Sequence, residues 1–179
     1  HRSLIELLLI LGYFREVISF YERLLNKIDD RYNGVCHARI GCALNLLGQF
    51  HKAIEHLRIG LDLFKYGGNR REESQTLEQL GISYRSIESS KAINLHQESF
   101  LIALEIGHQS RKATSSGELG RTYALFEENK LAFEYLQKSF SLSKISDLKF
   151  ERTISLDGLS FLYFKQDNLN IPMVKEMHY

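Results

Sequence analysis

Seven histidines, two cysteines and a scatter of carboxylates are the residues through which this 179-residue chain could do chemistry. Metal ligation needs such side chains to converge, yet His51 and His56 stand five apart and neither a His-Glu-x-x-His nor a Cys-x-x-Cys occurs. The histidines therefore read as surface or partly buried residues, with no metal and no cofactor expected. Ser141-Leu142-Ser143-Lys144 has the Ser-x-x-Lys spacing of a serine acylation site, but the companion Lys-Thr-Gly is missing. The carboxylate pairs Glu72-Glu73 and Glu127-Glu128 fall at helix starts or turns, where solvation and the helix dipole account for them. Gly41, Gly81 and Gly120 lie too far apart to form one phosphate-cradling loop. Cys36 and Cys42, six residues apart on one predicted helix, have Cα atoms roughly 9 Å apart. A disulfide needs about 7 Å or less, so they cannot bridge each other. Catalysis is not expected of this chain.

The composition narrows the classes of partner. A formal net charge of +1 supplies no global field for nucleic acid or an anionic membrane, and the Arg70-Arg71 pair is followed directly by Glu72-Glu73. The apolar run from Leu4 to Leu11 is interrupted by Glu6, is too short to span a bilayer and lacks a small-residue cleavage site. It reads as a buried helix. Two reduced thiols with no disulfide framework point to a reducing, cytoplasmic setting. The absence of an initiator Met and the abrupt start at His1 suggest a piece of a longer protein.

The elements that must carry any site are helices. Pro172 is the single proline, and strand-like alternation with Asn-Gly hairpin signals is scarce. Apolar residues recur at helical spacing, as in Val17, Ile18, Tyr21, Leu24 and Leu25, and again in Leu77, Leu80 and Tyr84. Turns are expected at Gly48-Gln49, Gly67-Gly68, Glu88-Ser89-Ser90, Glu127-Glu128 and Asp167-Asn168-Leu169. Asn69 with Glu72 three residues on resembles a helix cap. Helix pairs are predicted over about 2–28, 31–66, 69–107, 109–145 and an incomplete 148–179, all in one all-α solenoid spanning 1–179.

The pairs repeat. Ile40-Gly41, Leu80-Gly81, Leu119-Gly120 and Leu159-Ser160 are separated by 40, 39 and 40 residues, with Leu44, Tyr84, Tyr123 and Tyr163 three residues after each. The second helix of each pair carries Ala53, Ala92 or Ala132, then Gly60, Ser99 or Ser139 seven residues later. Small residues at matched places let two helices approach closely.

This pattern resembles the tetratricopeptide repeat (TPR), which pairs Leu-Gly and Tyr on a first helix with small residues on the next. The match covers about 31–164 fully and 4–28 partly. The period exceeds the usual value of about 34, no Trp occurs, and the helix-ending Pro is absent. The longer period is similar to that of the long-helix subgroup that includes Pins-type polarity adaptors and bacterial multidomain regulators. The resemblance implies a right-handed superhelix and a concave wall lined by the first helix of each pair, used for protein–protein binding.

By that resemblance the groove carries Ala38, Cys42 and Asn45, then Glu78, Ile82 and Arg85, then Gly117, Arg121 and Ala124, then Asp157, Phe161 and Phe164. Arg39, Gln79, Glu118 and Lys165 lie beside the stripe. The peptide-binding set is expected to be Arg39, Asn45, Glu78, Gln79, Ile82, Arg85, Arg121, Phe161 and Phe164. Its forked arginines suit an acidic peptide. Two readings of those arginines stand side by side: ligand contacts, or ion pairs with Glu78, Glu118 and Asp157 that hold neighbouring repeats in register. Phe161 and Phe164 read as a face covered by further chain, ahead of the alternative that they line a ligand pocket. The functional expectation is a scaffold or adaptor that holds a partner's peptide; the alternative is a sensor or autoregulatory module controlling an attached effector domain.

Overall fold

The computed structural model describes residues 8, 11–25, 27, 29, 32–145 and 149–169. Most of the expected helix over 4–11, and all of the segment 171–179, lie outside these residues. Eight helices occur among the described residues and no strand does. They are α1 (Phe14–Leu24), α2 (Asn33–Leu46), α3 (Phe50–Tyr66), α4 (Arg70–Tyr84), α5 (Ser89–Glu105), α6 (Gln109–Leu125), α7 (Asn129–Ile145) and α8 (Lys149–Leu169). The chain divides into two compact units, His1–Ile102 and Ala103–Tyr179. In the first, α1 packs on α2, α2 on α3, and α4 on α3 and α2; in the second, α6 packs on α7, and α8 on both.

The turns follow from local chemistry. Gly48 sits at φ +72° after α2, and the Gln49 amide donates to the Leu44 carbonyl at 2.9 Å. That left-handed conformation is the one glycine adopts without steric cost. The counterpart after α6 is Glu127, at φ +65°, so one turn of the same design is made by a residue that carries a Cβ. The Asn69 side chain accepts from the Glu72 amide at 3.3 Å, capping α4.

Small residues set the helix crossings at two levels. At the first, a Cβ added to Gly60 would lie 3.1 Å from the Gly34 carbonyl, and the equivalent positions in the next pair are Ser74 and Ser99. These serines are fully buried and bond reciprocally: Ser74 Oγ donates to the Ser99 carbonyl at 3.0 Å, and Ser99 Oγ to the Ser74 carbonyl at 2.8 Å. In the pair α6/α7, Ser139 Oγ donates to the Ala113 carbonyl at 2.8 Å. A hydroxyl can replace a hydrogen here because each one meets a carbonyl.

At the second crossing Gly41 faces Leu57 and the Ala53 carbonyl, and Gly120 faces Leu136 and the Ala132 carbonyl. In α4/α5 the matching glycine is Gly81, and the atoms nearest it belong to His96, which is fully buried where the other pairs have leucine. Ala53, Ala92 and Ala132 all have zero exposure. The repeat tyrosines are held both between pairs and within them. Tyr84 accepts a bond from Arg58 Nη2 at 2.7 Å and carries Lys91 Nζ 4.3 Å above its ring, and Tyr123 stacks on Tyr135 at 5.7 Å.

One expected boundary is wrong. The turn at Asp167-Asn168-Leu169 is not present, because α8 runs unbroken through Leu169. Asp and Asn are mediocre helix formers, but no Gly or Pro occurs between Gly158 and Pro172, so nothing there forces the backbone out of the helix.

Candidate functional site

In the first unit the expected groove stripe comes from α2 and α4. Asn45 is 9% exposed and lies between the two helices. Its Nδ2 donates to the Gln79 carbonyl at 2.9 Å and reaches Gln79 Oε1 at 3.3 Å, while Ser83 Oγ donates to Asn45 Oδ1 at 2.7 Å. All three bonds join α2 to α4, so Asn45 holds the spacing of the face from beneath it. Glu78 is also buried, at 4% exposure.

Arg39, Gln79, Ile82 and Arg85 are half-buried, with part of each side chain open to solvent. Arg39 has no ion-pair partner among the described residues. Its guanidinium opposes the effect of burial on Tyr21 of α1, whose phenol is pushed up from its ordinary pKa.

In the second unit Arg121 Nη1 donates to Glu118 Oε1 at 3.1 Å, and Nη2 lies 3.8 Å from Asp157 Oδ2 of α8. Glu118 is buried, whereas Asp157 is mostly exposed. Phe161 and Phe164 lie on α8 with 44% and 71% exposure. Lys165 pairs with Glu127 at 3.3 Å.

Sequence reasoning did not single out two further features. His37 and His56, on α2 and α3, bring their Nδ1 atoms to 3.1 Å. Their places near Gly41 and Ala53 in the repeat register were the available signal. The other is a cleft of about 330 Å³ between α1 and α3 over α2. Cys36 is buried and its thiol is pushed up by that burial, so it is a packing residue. Among the described residues no group of three or more His, Cys, Asp or Glu is placed to hold a metal ion, and no helix is long and apolar enough to cross a membrane.

No family model matches the chain, and no curated protein does. Solved structures do. The apo form of RapI superposes with a TM-score of 0.71 at 20% identity, over 88% of this chain and 46% of RapI. BtubC from P. vanneervenii gives 0.67 at 14% identity, over 94% of this chain and 79% of that one. A Podosopora anserina putative kinesin light chain with nearly identical TPR-like repeats gives 0.62 at 14% identity, over 94% of both chains. The chain spans less than half the length of RapI. At these identities the likeness is one of fold, and together with the paired helices and small-residue crossings it assigns this chain a TPR-like helical-repeat fold.

Proposed function

We propose that this chain is a non-catalytic interaction module that holds an acidic peptide segment of a partner protein on the face presented by α2 and α4. The carrying observation is Arg39. Its half-buried guanidinium has no ion-pair partner among the described residues, and the repeat register groups it with the half-buried Gln79, Ile82 and Arg85. A forked cation beside an amide and an apolar side chain matches a carboxylate, a peptide backbone and an aliphatic side chain in turn. Asn45, which bonds α2 to α4, and Glu78 are buried and do not meet the peptide. In the second unit Arg121 is already bonded to Glu118 and Asp157, which supports its role in register, and Phe161 and Phe164 offer apolar area for a peptide side chain. The period near 40 residues accords with the long-helix adaptors that the sequence resembles.

A peptide array probed with the 179-residue chain and with its Arg39→Glu and Arg85→Glu variants tests this. The expected outcome is a set of acidic peptides whose binding both variants weaken several-fold and added salt weakens further. Equal binding by all three proteins would place the site elsewhere.

A further inference from the structure

The cleft between α1 and α3 is a second concavity, separate from the α2/α4 face, and its charges are ordered. Its floor is apolar: Ile40 and Leu44 of α2 are buried, and Ile18 and Leu47 are half-buried. Arg15 and Glu22 of α1 form one wall, and Lys52, Glu55 and His56 of α3 form the other. Glu22 acts electrostatically on His56, so the late part of α1 faces the later part of the α3 wall. The two walls therefore run in the same direction, with Arg15 and Lys52 toward one end and Glu22 and Glu55 toward the other. None of these four charged side chains is ion-paired among the described residues. Arg15 and Glu22 are seven residues apart, which is about 10 Å along a helix.

We propose that this cleft binds a short linear peptide with free ends, about three residues long, its carboxylate toward Arg15 and Lys52 and its amine toward Glu22 and Glu55. An extended tripeptide spans about 10 Å, which matches the Arg15–Glu22 separation on the α1 wall, while Lys52 and Glu55, three residues and about 4.5 Å apart along α3, add to the same polarity. Apolar side chains of such a peptide cover the floor made by Ile18, Leu44 and Leu47, and the cavity of about 330 Å³ lies in the size range of small-ligand sites. A fully acidic or fully basic ligand would meet repulsion at one end, so the recognition is dipolar. The Ser19 hydroxyl and the Gln49 amide on the walls can bond the peptide backbone.

The test is an NMR titration of the 179-residue chain with Ala-Leu-Ala carrying free ends, with its N-acetylated form and with its C-amidated form. The free peptide is expected to shift amide signals around Ile18, Ser19, Leu47 and His56, and each blocked end to weaken binding about threefold or more, the scale of an exposed ion pair. In Arg15→Gln/Lys52→Gln protein, amidation should no longer matter. In Glu22→Gln/Glu55→Gln protein, acetylation should no longer matter. No shifts at about 10 mM peptide, or equal binding by the three peptides, overturns the proposal, and these arms need no variant to fold. Arg39→Glu, which tests the α2/α4 face, should leave this binding unchanged, so the two sites fail or succeed separately.

Discussion

His37 Nδ1 and His56 Nδ1 face each other at 3.1 Å, with ring centroids 5.1 Å apart, across the α2/α3 crossing. One hydrogen bond between these nitrogens requires one to donate and the other to accept, so at most one ring is doubly protonated while it persists. Burial is the main cause that holds both below the ordinary value of 6.5. For His37 the partner imidazole adds to it; for His56, Glu22 and Glu55 oppose it.

The sign of the resulting pH dependence follows. The unfolded chain takes up protons at these two sites near pH 6.5, and the folded chain only at lower pH. Below pH 6.5 the unfolded state therefore binds more protons, and stability declines until the folded-state values are passed. Denaturant midpoints measured from pH 7.5 down to 5 should fall through this window. His56→Gln, which cannot charge, should flatten that part of the profile. An identical profile for the variant would mean that His56 contributes no pH dependence.

Gly120→Ala should destabilise. Alanine is the better helix former by about 1 kcal/mol, but an added Cβ would lie 3.0 Å from both the Ala132 carbonyl oxygen and the Leu136 amide nitrogen, and 2.7 Å from Leu136 Cγ. Two of those atoms are backbone in the facing helix, so relief requires α6 and α7 to separate. An overpacking cost of about 1–3 kcal/mol exceeds the propensity gain. Chemical denaturation should show a lowered midpoint, and a raised one would show that the crossing can open freely.

Glu127→Gly acts in the opposite direction. Glu127 holds a left-handed φ of +65° where the equivalent turn after α2 has Gly48. A residue with a Cβ costs roughly 1–2 kcal/mol in that conformation, while glycine gives the unfolded chain more entropy to lose on folding, which offsets part of the gain. The Lys165 partner is lost, but Glu127 is 79% exposed in that pair and the contribution of such a surface pair is small. The net expectation is a gain of up to about 1 kcal/mol, read as a higher denaturation midpoint.

The helix pairs were legible because small residues recur at fixed intervals: Gly41, Gly81 and Gly120 on the first helices, and Ala53, Ala92 and Ala132 on the second. The opposing set Gly34, Ser74 and Ala113 was not read, since glycine, serine and alanine share only size, and Ser74 alone among them donates a side-chain bond to a facing carbonyl. His96 stood in plain register with Leu57 and Leu136, but a histidine in a leucine position is visible as a core residue only once its burial is known. The end of α8 was misplaced because Asp167 and Asn168 favour turns without enforcing one. The candidate site was half legible. Repeat register put Arg39, Gln79, Ile82 and Arg85 on one partly open face, yet nothing in it distinguishes an arginine with a neighbouring acid, such as Arg121, from one without. The α1/α3 cleft draws its residues from three helices, and pairwise spacing along one helix does not reveal it.

Asn45 carries the last prediction, because it joins architecture to binding. Its amide donates to the Gln79 carbonyl and its oxygen accepts from Ser83, so it satisfies groups on α4 from α2. Asn45→Ala removes both sides at once. Ser83 Oγ keeps the Gln79 carbonyl at 3.0 Å as an alternative acceptor, so one of the abandoned groups has somewhere to go and the loss should be moderate, about 1–2 kcal/mol. Asn45→Asp should cost more. A carboxylate still accepts from Ser83, but it faces the Gln79 carbonyl oxygen with no donor, and it places a charge in a site only 9% exposed. The expected order of denaturation midpoints is wild type, then Asn45→Ala, then Asn45→Asp. If the acidic peptide sits on the face above, Asn45→Ala should also weaken it while leaving its salt dependence unchanged, since the spacing of α2 and α4 is altered and no charge is removed. Arg39→Glu should change both. A loss of salt dependence in Asn45→Ala would show that Asn45 acts on the charges of the face and not on its spacing.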